Sequence, residues 1–408
     1  MNSTRQDGSA RLAEIDILRG LVIVLMALDH ARDYFLHNSF GINTLDPAQT
    51  TGWLYLTRWV THLCAPTFVL LMGVSAYLQK FRGKTTSRLS RFLFTRGLWL
   101  IVLEVTFLDF GWAFAFPYPL FLQVIWAIGW TMIALSLLVW LPRGVVLAIG
   151  LAIVAGHNLL DPIRPQDLGS SALLWQFLHE GGLLKAGSQP IGVIAYPLLP
   201  WIGVAALGYG MGALFNSTAP GRNRNISMLG LAMLVLFFLL RGFNLYGNPV
   251  GTDATGPFGD AGLWQAQPDT VSAIMVFFNV AKYPPSLQFL LVTLGIVFAI
   301  WPILAHLEGL PRKVLLTFGS VPMFFYLIHV YLIHALAILA NAAAGRDVQG
   351  LFNYMLKGFT HSPQVDVLGF PLYGVYVAWI AVLIILYPLC RWWAAVKARR
   401  RDWWLSYL

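Results

Sequence analysis

Arg19 and His30 stand eleven residues apart in the first apolar stretch of this 408-residue chain. Eleven positions are about three helical turns, so on a helix both side chains share one face, ~16 Å apart along the axis. A guanidinium holds anionic groups, and a neutral imidazole takes up a proton near physiological pH. The pair could therefore bind at one level of a helix and do base chemistry at another. Asp16 lies one turn before Arg19 and can pair with it, and Asp29 directly precedes His30. Charged helix ends explain the same residues more plainly, with Arg19 reaching towards one surface and Asp29-His30-Arg32 marking the other. Spacing alone leaves both explanations standing.

A second stretch adds Arg58 and His62, four apart and so on one helical face. Pro66 follows and frees a backbone carbonyl, which a membrane helix tolerates where it packs or lines a cavity. If the chain reverses between the two stretches, His62 falls at the depth of His30. A lone histidine is more often simply packed, but two converging at one depth favour a site. Further on, Lys282-Tyr283-Pro284-Pro285-Ser286 opens another apolar stretch. Its prolines are ordinary helix-start punctuation, while Lys282 and Tyr283 could take up an anionic or sugar-like group. His329 and His334 are ~140° apart around a helix, so they cannot both face one small site. His329 lies deeper and is the stronger candidate for contact with substrate. No nucleotide-binding glycine loop, H-E-x-x-H motif or G-x-S-x-G elbow appears. Cys64 and Cys390 are too isolated for a disulfide framework or a cysteine metal site, and no metal is expected.

Composition says what must position these residues. The chain is 58% hydrophobic and 11% charged, with a mean hydropathy of +0.67, whereas soluble domains carry about 25% charged residues. The fold class expected is all-α, a polytopic membrane bundle of about ten spans at 1.5 Å rise per residue. The spans fall at 14–34, 55–79, 93–113, 119–141, 143–160, 192–215, 226–244, 286–306, 315–340 and 370–391. The fifth is short enough to be tilted or re-entrant. One domain, 1–408, is expected, with the bundle at 14–391 and a basic, tryptophan-rich tail at 392–408 suited to an interfacial anchor. Arg5 and Arg11 precede the first apolar run, but no small-residue cleavage site follows it, so it is expected to stay as a helix. With the N-terminus in the cytoplasm, 19 of the 27 basic residues fall on the inner side, as the positive-inside rule demands. Both termini are then cytoplasmic, and the net charge of +9 needs no nucleic-acid partner. Three long outer segments, 161–191, 245–285 and 341–369, carry Trp175, Trp264 and Phe352 and are expected to be ordered lids. Gly203, Gly208, Gly210 and Gly212 suggest a close helix-packing face.

With these residues placed, the chain resembles the bacterial relatives of heparan-α-glucosaminide N-acetyltransferase. The likeness rests on Asp16-Ile17-Leu18-Arg19-Gly20 through Met26-Ala27-Leu28-Asp29-His30, and on Thr61-His62-Leu63-Cys64-Ala65-Pro66-Thr67-Phe68. Lys282 to Ser286 and Val321-Pro322-Met323-Phe324-Phe325-Tyr326 with His329 fit the same set. The Arg19–His30 spacing also matches the arginine–ten residues–histidine signature of membrane acyltransferases that O-acylate polysaccharides. The resemblance implies a transmembrane acyltransferase of a bacterial inner membrane, with acetyl-CoA or another acyl-CoA arriving from the cytoplasm. The acceptor, a saccharide or glycan precursor, would sit on the far side. On this basis His30 is the expected base, oriented by Asp29 or by a carboxylate across the cavity, with His62 and Arg58 assisting at the same depth. Arg19 with Asp16, and Arg58 grouped with them, are the expected donor contacts. Lys282, Tyr283 and His329 are left to the acceptor. The lysosomal enzyme carries its catalytic histidine in the luminal segment after the first helix, where this chain has His37. The base is thus one of His30, His37 and His62. A transporter or flippase using the same groups as a relay is the alternative. Oligomeric state stays open, a homodimer among the options.

Overall fold

The computed structural model describes residues 13–216, 221–248, 262–400 and 402–407. Arg5, Arg11 and residues 249–261 of the second outer segment lie outside them. The chain is predominantly helical. Among the described residues, six helices are long and apolar enough to cross a membrane: Gly52–Phe81, Arg143–Leu160, Arg222–Gly242, Leu287–Ala305, Pro322–Ala343 and Leu372–Arg399. The short fifth stretch is one of them. Ala13–Phe35 is equally long, but its ionisable residues keep it out of that set.

That first helix occupies the middle of the molecule. It packs against Cys64–Phe81, Gly309–Ser320, Pro322–Ala343 and Leu372–Arg399, and most of its residues are buried, Asp16, His30 and Arg32 included. Charged groups on a helix in apolar surroundings are tolerated when other helices enclose them and supply partners. The crossing with Gly309–Ser320 is very close. A Cβ on Gly20 would meet the Leu315 carbonyl, and one on Gly319 the Asp16 carbonyl, so only glycine lets the backbones touch here. The glycines from Gly203 to Gly212 are likewise helix contacts, against Ile153, Leu70, Leu147 and Tyr77.

Several expected spans differ in detail. The fold is not purely helical, because Leu120–Leu122, Gly182–Ala186 and Gln189–Ile194 form a three-stranded sheet. Gln189–Ile194 lies in the centre, parallel to Leu120–Leu122 and antiparallel to Gly182–Ala186. The stretches 119–141 and 192–215 therefore begin as strands and become helix only at Val124 and Leu198. Pro117 and Pro119 bias the chain towards extended backbone before the first of these strands, and Pro197 caps the second helix. The stretch 315–340 is not one helix. The chain breaks at Val321, with Gly309–Ser320 before it and Pro322–Ala343 after it, since a proline starts a helix more easily than it continues one. The final helix runs on to Arg399, so 392–399 are helical and continuous with it. Trp393 stacks on Phe324, and the Tyr407 hydroxyl bonds Thr95.

Candidate functional site

Arg19 and His30 open onto two different cavities. Arg19 is fixed by Asp16, 3.0 Å away, and by the Ser75 hydroxyl. With Arg96, Gln79 and Lys397 it lines a cavity of about 310 Å³ whose other walls are apolar, among them Phe68, Met72, Leu100 and Met132. Tyr326 and Val124 line the same space.

His30 lines a second cavity of about 110 Å³ with Asp29, Arg32, Asp33, Arg58, Gln123, Tyr196 and Tyr283. The three-stranded sheet supplies part of this wall, because Phe121 lies within a strand and Gln123, Ala195 and Tyr196 directly follow strands. Asp29 organises the charges. Arg58 Nη1 reaches both of its oxygens at 2.8 and 2.9 Å, and Arg32 reaches it at 3.0 Å while also pairing with Asp33 at 2.6 Å. Buried ions are tolerable when each has such partners, and removing one member leaves the others costly. Lys282 Nζ lies 5.1 Å from the centre of the Tyr283 ring, and that ring meets Tyr196 edge-on at 5.7 Å.

The two cavities are lined by neighbouring residues. Val124 faces one space and its neighbour Gln123 the other. Tyr326, a wall of the first cavity, meets the His30 ring edge-on at 6.3 Å. Behind His30, its Nδ1 is 2.7 Å from His329 Nε2, and His329 Nδ1 is 2.6 Å from the Tyr326 carbonyl. A carbonyl only accepts, so His329 Nδ1 must carry its proton and donate it. His329 Nε2 is then the acceptor, and His30 Nδ1 donates to it. This chain of inference leaves the lone pair of His30 on Nε2, with the Trp112 ring edge-on at 4.8 Å. The second ring nitrogen of a histidine sets what the first can do, and here it leaves a proton acceptor on a residue that lines the second cavity.

The other expected residues divide. Arg58, expected with Arg19 on the donor, instead pairs with Asp29 in the second cavity. His329 lines neither cavity and is fully buried behind His30. His62 is buried against Phe289 and Trp59, and neither of its ring nitrogens has a hydrogen-bond partner among the described residues. The four-residue spacing from Arg58 assumes a continuous α-helix, but Thr61–Leu63 is a 3-10 turn, which advances about 120° per residue. His37 is exposed and bonds the Leu368 carbonyl, away from both cavities. The long outer segments are ordered where described, and Met355 and Phe359 reach the second cavity.

Sequence reasoning passed over Glu104 and Asp109. Both are buried, on and just after a π-turn at Glu104–Leu108. Glu104 accepts from the Gln123 amide at 3.2 Å, while its other oxygen and both oxygens of Asp109 have no hydrogen-bond partner among the described residues. The Tyr326 hydroxyl also has none. Two acids inside an apolar run were the available signal. The wider π-turn that brings them together leaves no mark in residue types.

A family model described as heparan-alpha-glucosaminide N-acetyltransferase, catalytic, matches residues 11–244. No curated protein matches the chain at a significant level. The matched stretch holds Arg19, Asp29, His30 and Arg58, and the fold brings Tyr283 and His329 against them from beyond it. The chain belongs to the heparan-alpha-glucosaminide N-acetyltransferase catalytic-domain family.

Proposed function

We propose that this protein moves an acyl group, acetyl in the first instance, from acyl-CoA in the Arg19 cavity to a saccharide amine or hydroxyl in the His30 cavity. The observation that carries the proposal is His30 itself, an imidazole that lines the second cavity and whose Nδ1 is held by His329. The larger cavity suits the donor. Its apolar walls fit a pantetheine arm, and Arg19, Arg96 and Lys397 suit phosphates. The smaller cavity, walled by Asp29, Arg58, Tyr283 and Tyr196, offers the charged and hydroxyl groups that hold a polar acceptor.

In the reaction, His30 Nε2 takes a proton from the acceptor amine or hydroxyl as that atom attacks the thioester carbonyl. The Tyr326 hydroxyl lies on the donor side and is a candidate donor to the developing oxyanion. The C–S bond then breaks, the protonated His30 returns its proton to the leaving thiolate, and the products are the N- or O-acyl saccharide and free CoA thiol. No net proton is consumed. The positive-inside count supports a donor side in the cytoplasm and an acceptor on the far face; a bacterial inner membrane and a single domain are part of the same proposal.

Purified full-length protein in detergent, given acetyl-CoA and a glucosamine-type amine, should release CoA thiol in step with acetylated product. His30→Ala should abolish the release while still binding CoA. Wild-type turnover in that variant would sink the proposal. Saccharide counterflow by the wild type without thioester cleavage would support a transporter instead.

A further inference from the structure

Beyond the acyl-transfer site, three ligand-bearing side chains meet where the Arg143–Leu160 helix ends. His157, Asp161 and His179 each offer one ligand atom, and these atoms lie within 4.8 Å of one another. His179 Nε2 is 3.5 Å from Asp161 Oδ1, close to the edge of about 3.4 Å that a tetrahedron with bonds of 2.0–2.1 Å requires. His157 is 2% exposed, and neither of its ring nitrogens has a hydrogen-bond partner among the described residues. A buried, unpaired imidazole is destabilising, and a cation at this point would satisfy one of its nitrogens. Trp175 stacks on His179 at 5.0 Å and limits its rotation. Asp161 Oδ2 accepts from Asn158 at 2.9 Å, which holds the other oxygen towards His179.

The competing arrangement needs no cation. His179 Nε2 is also 3.0 Å from the His157 carbonyl and could simply donate to it. That leaves neither nitrogen of His157 in good hydrogen-bond geometry; a cation would satisfy one of them, and the Pro285 backbone lies beside the ring.

We infer that His157, Asp161 and His179 form a structural site for a borderline divalent cation, zinc foremost. Two neutral imidazoles and one carboxylate are a zinc-type donor set, and the partly exposed Asp161 leaves room for water as a fourth ligand. The site would staple the segment after Leu160 to the end of its helix. That segment continues through the Gly182–Ala186 and Gln189–Ile194 strands to Ala195 and Tyr196, in the wall of the His30 cavity. Asn158 ties the same point to the start of the Leu287–Ala299 helix, because its Oδ1 accepts from the Leu287 amide at 2.9 Å. This inference does not depend on the acyl-transfer reading.

The test is Zn2+ titration of full-length, chelator-stripped protein in detergent, with Co2+ absorption as a second readout. The wild type should bind one equivalent of Zn2+ and give the intense visible band of tetrahedral Co2+. Its Tm should fall on chelation and recover with Zn2+. Both metal signals should be lost in His179→Ala and in Asp161→Asn. The second variant can still accept from Asn158 and should keep the fold, so its Tm should no longer respond to chelator. The inference is overturned if the wild type binds no Zn2+, if the Co2+ spectrum is octahedral, or if Asp161→Asn binds as the wild type does.

Discussion

The two cavities beside the first helix differ in size and in character. The Arg19 cavity is about 310 Å³ and apolar between its few cations, whereas the His30 cavity is about 110 Å³ and is crowded with ions and hydroxyls. A large apolar slot with charge at its rim can bind a long, flexible ligand without fixing every atom. A small polar pocket selects by hydrogen bonds, and an analogue that cannot make them leaves buried groups unpaired. Under the proposed function, binding of the donor falls to one end of the helix, and chemistry with choice of acceptor to the other.

Substitutions can break this division, beginning with the largest effect. His30→Ala should lower kcat by about 10²–10⁴-fold and leave the KM for acyl-CoA unchanged, as steady-state kinetics would show. A raised KM for acyl-CoA there would mean that the cavities are not separate in function. Asp29→Ala strands Arg58 and Arg32, so it should destabilise the fold by about 3–5 kcal/mol in chemical denaturation. An unchanged midpoint would show that the cations are solvated and not held by Asp29. Arg19→Ala removes a charged contact on the donor side, and it should raise the KM for acyl-CoA on the order of 10–100-fold with kcat preserved. A fall in kcat with normal KM would place Arg19 in the chemistry. The mildest expected effect is that of His329→Phe, which deletes the bond that orients His30. It should lower kcat about tenfold, the worth of one good hydrogen bond, without altering the affinity for either substrate. A loss as deep as that of His30→Ala would make His329 a participant.

Much of the architecture was legible without coordinates. Continuous apolar stretches marked the helices, because a helix in lipid must satisfy its backbone internally and covers its surface with apolar side chains. Legibility failed at helix ends and breaks. The start of the 119–141 stretch became a strand, and 315–340 broke at Val321, since hydropathy does not report the direction of the backbone. In the site, Arg19 and His30 were legible because ionisable groups in an apolar helix are expensive and stand out. The pairing of Arg58 with Asp29, and the burial of His62 against Phe289, were not. Both depend on which neighbouring helix each side chain meets. The His157–Asp161–His179 group also escaped notice. Its last member is 18 residues beyond the second, across a loop that no common motif spans.

The sequence by itself determined that the chain is a helical membrane protein, and it put a cation and an imidazole on one face of the first helix. Periodicity and hydropathy are local properties, and they suffice for that. Tertiary structure alone decided that His329 would fix the proton of His30, that Asp29 would gather Arg32 and Arg58, and that Tyr326 would line one cavity and meet His30 edge-on. These are contacts between residues up to 299 positions apart. They arise from helix crossings as close as Gly20 on Leu315, and packing of that kind is set by the shapes of two surfaces together and by neither one alone.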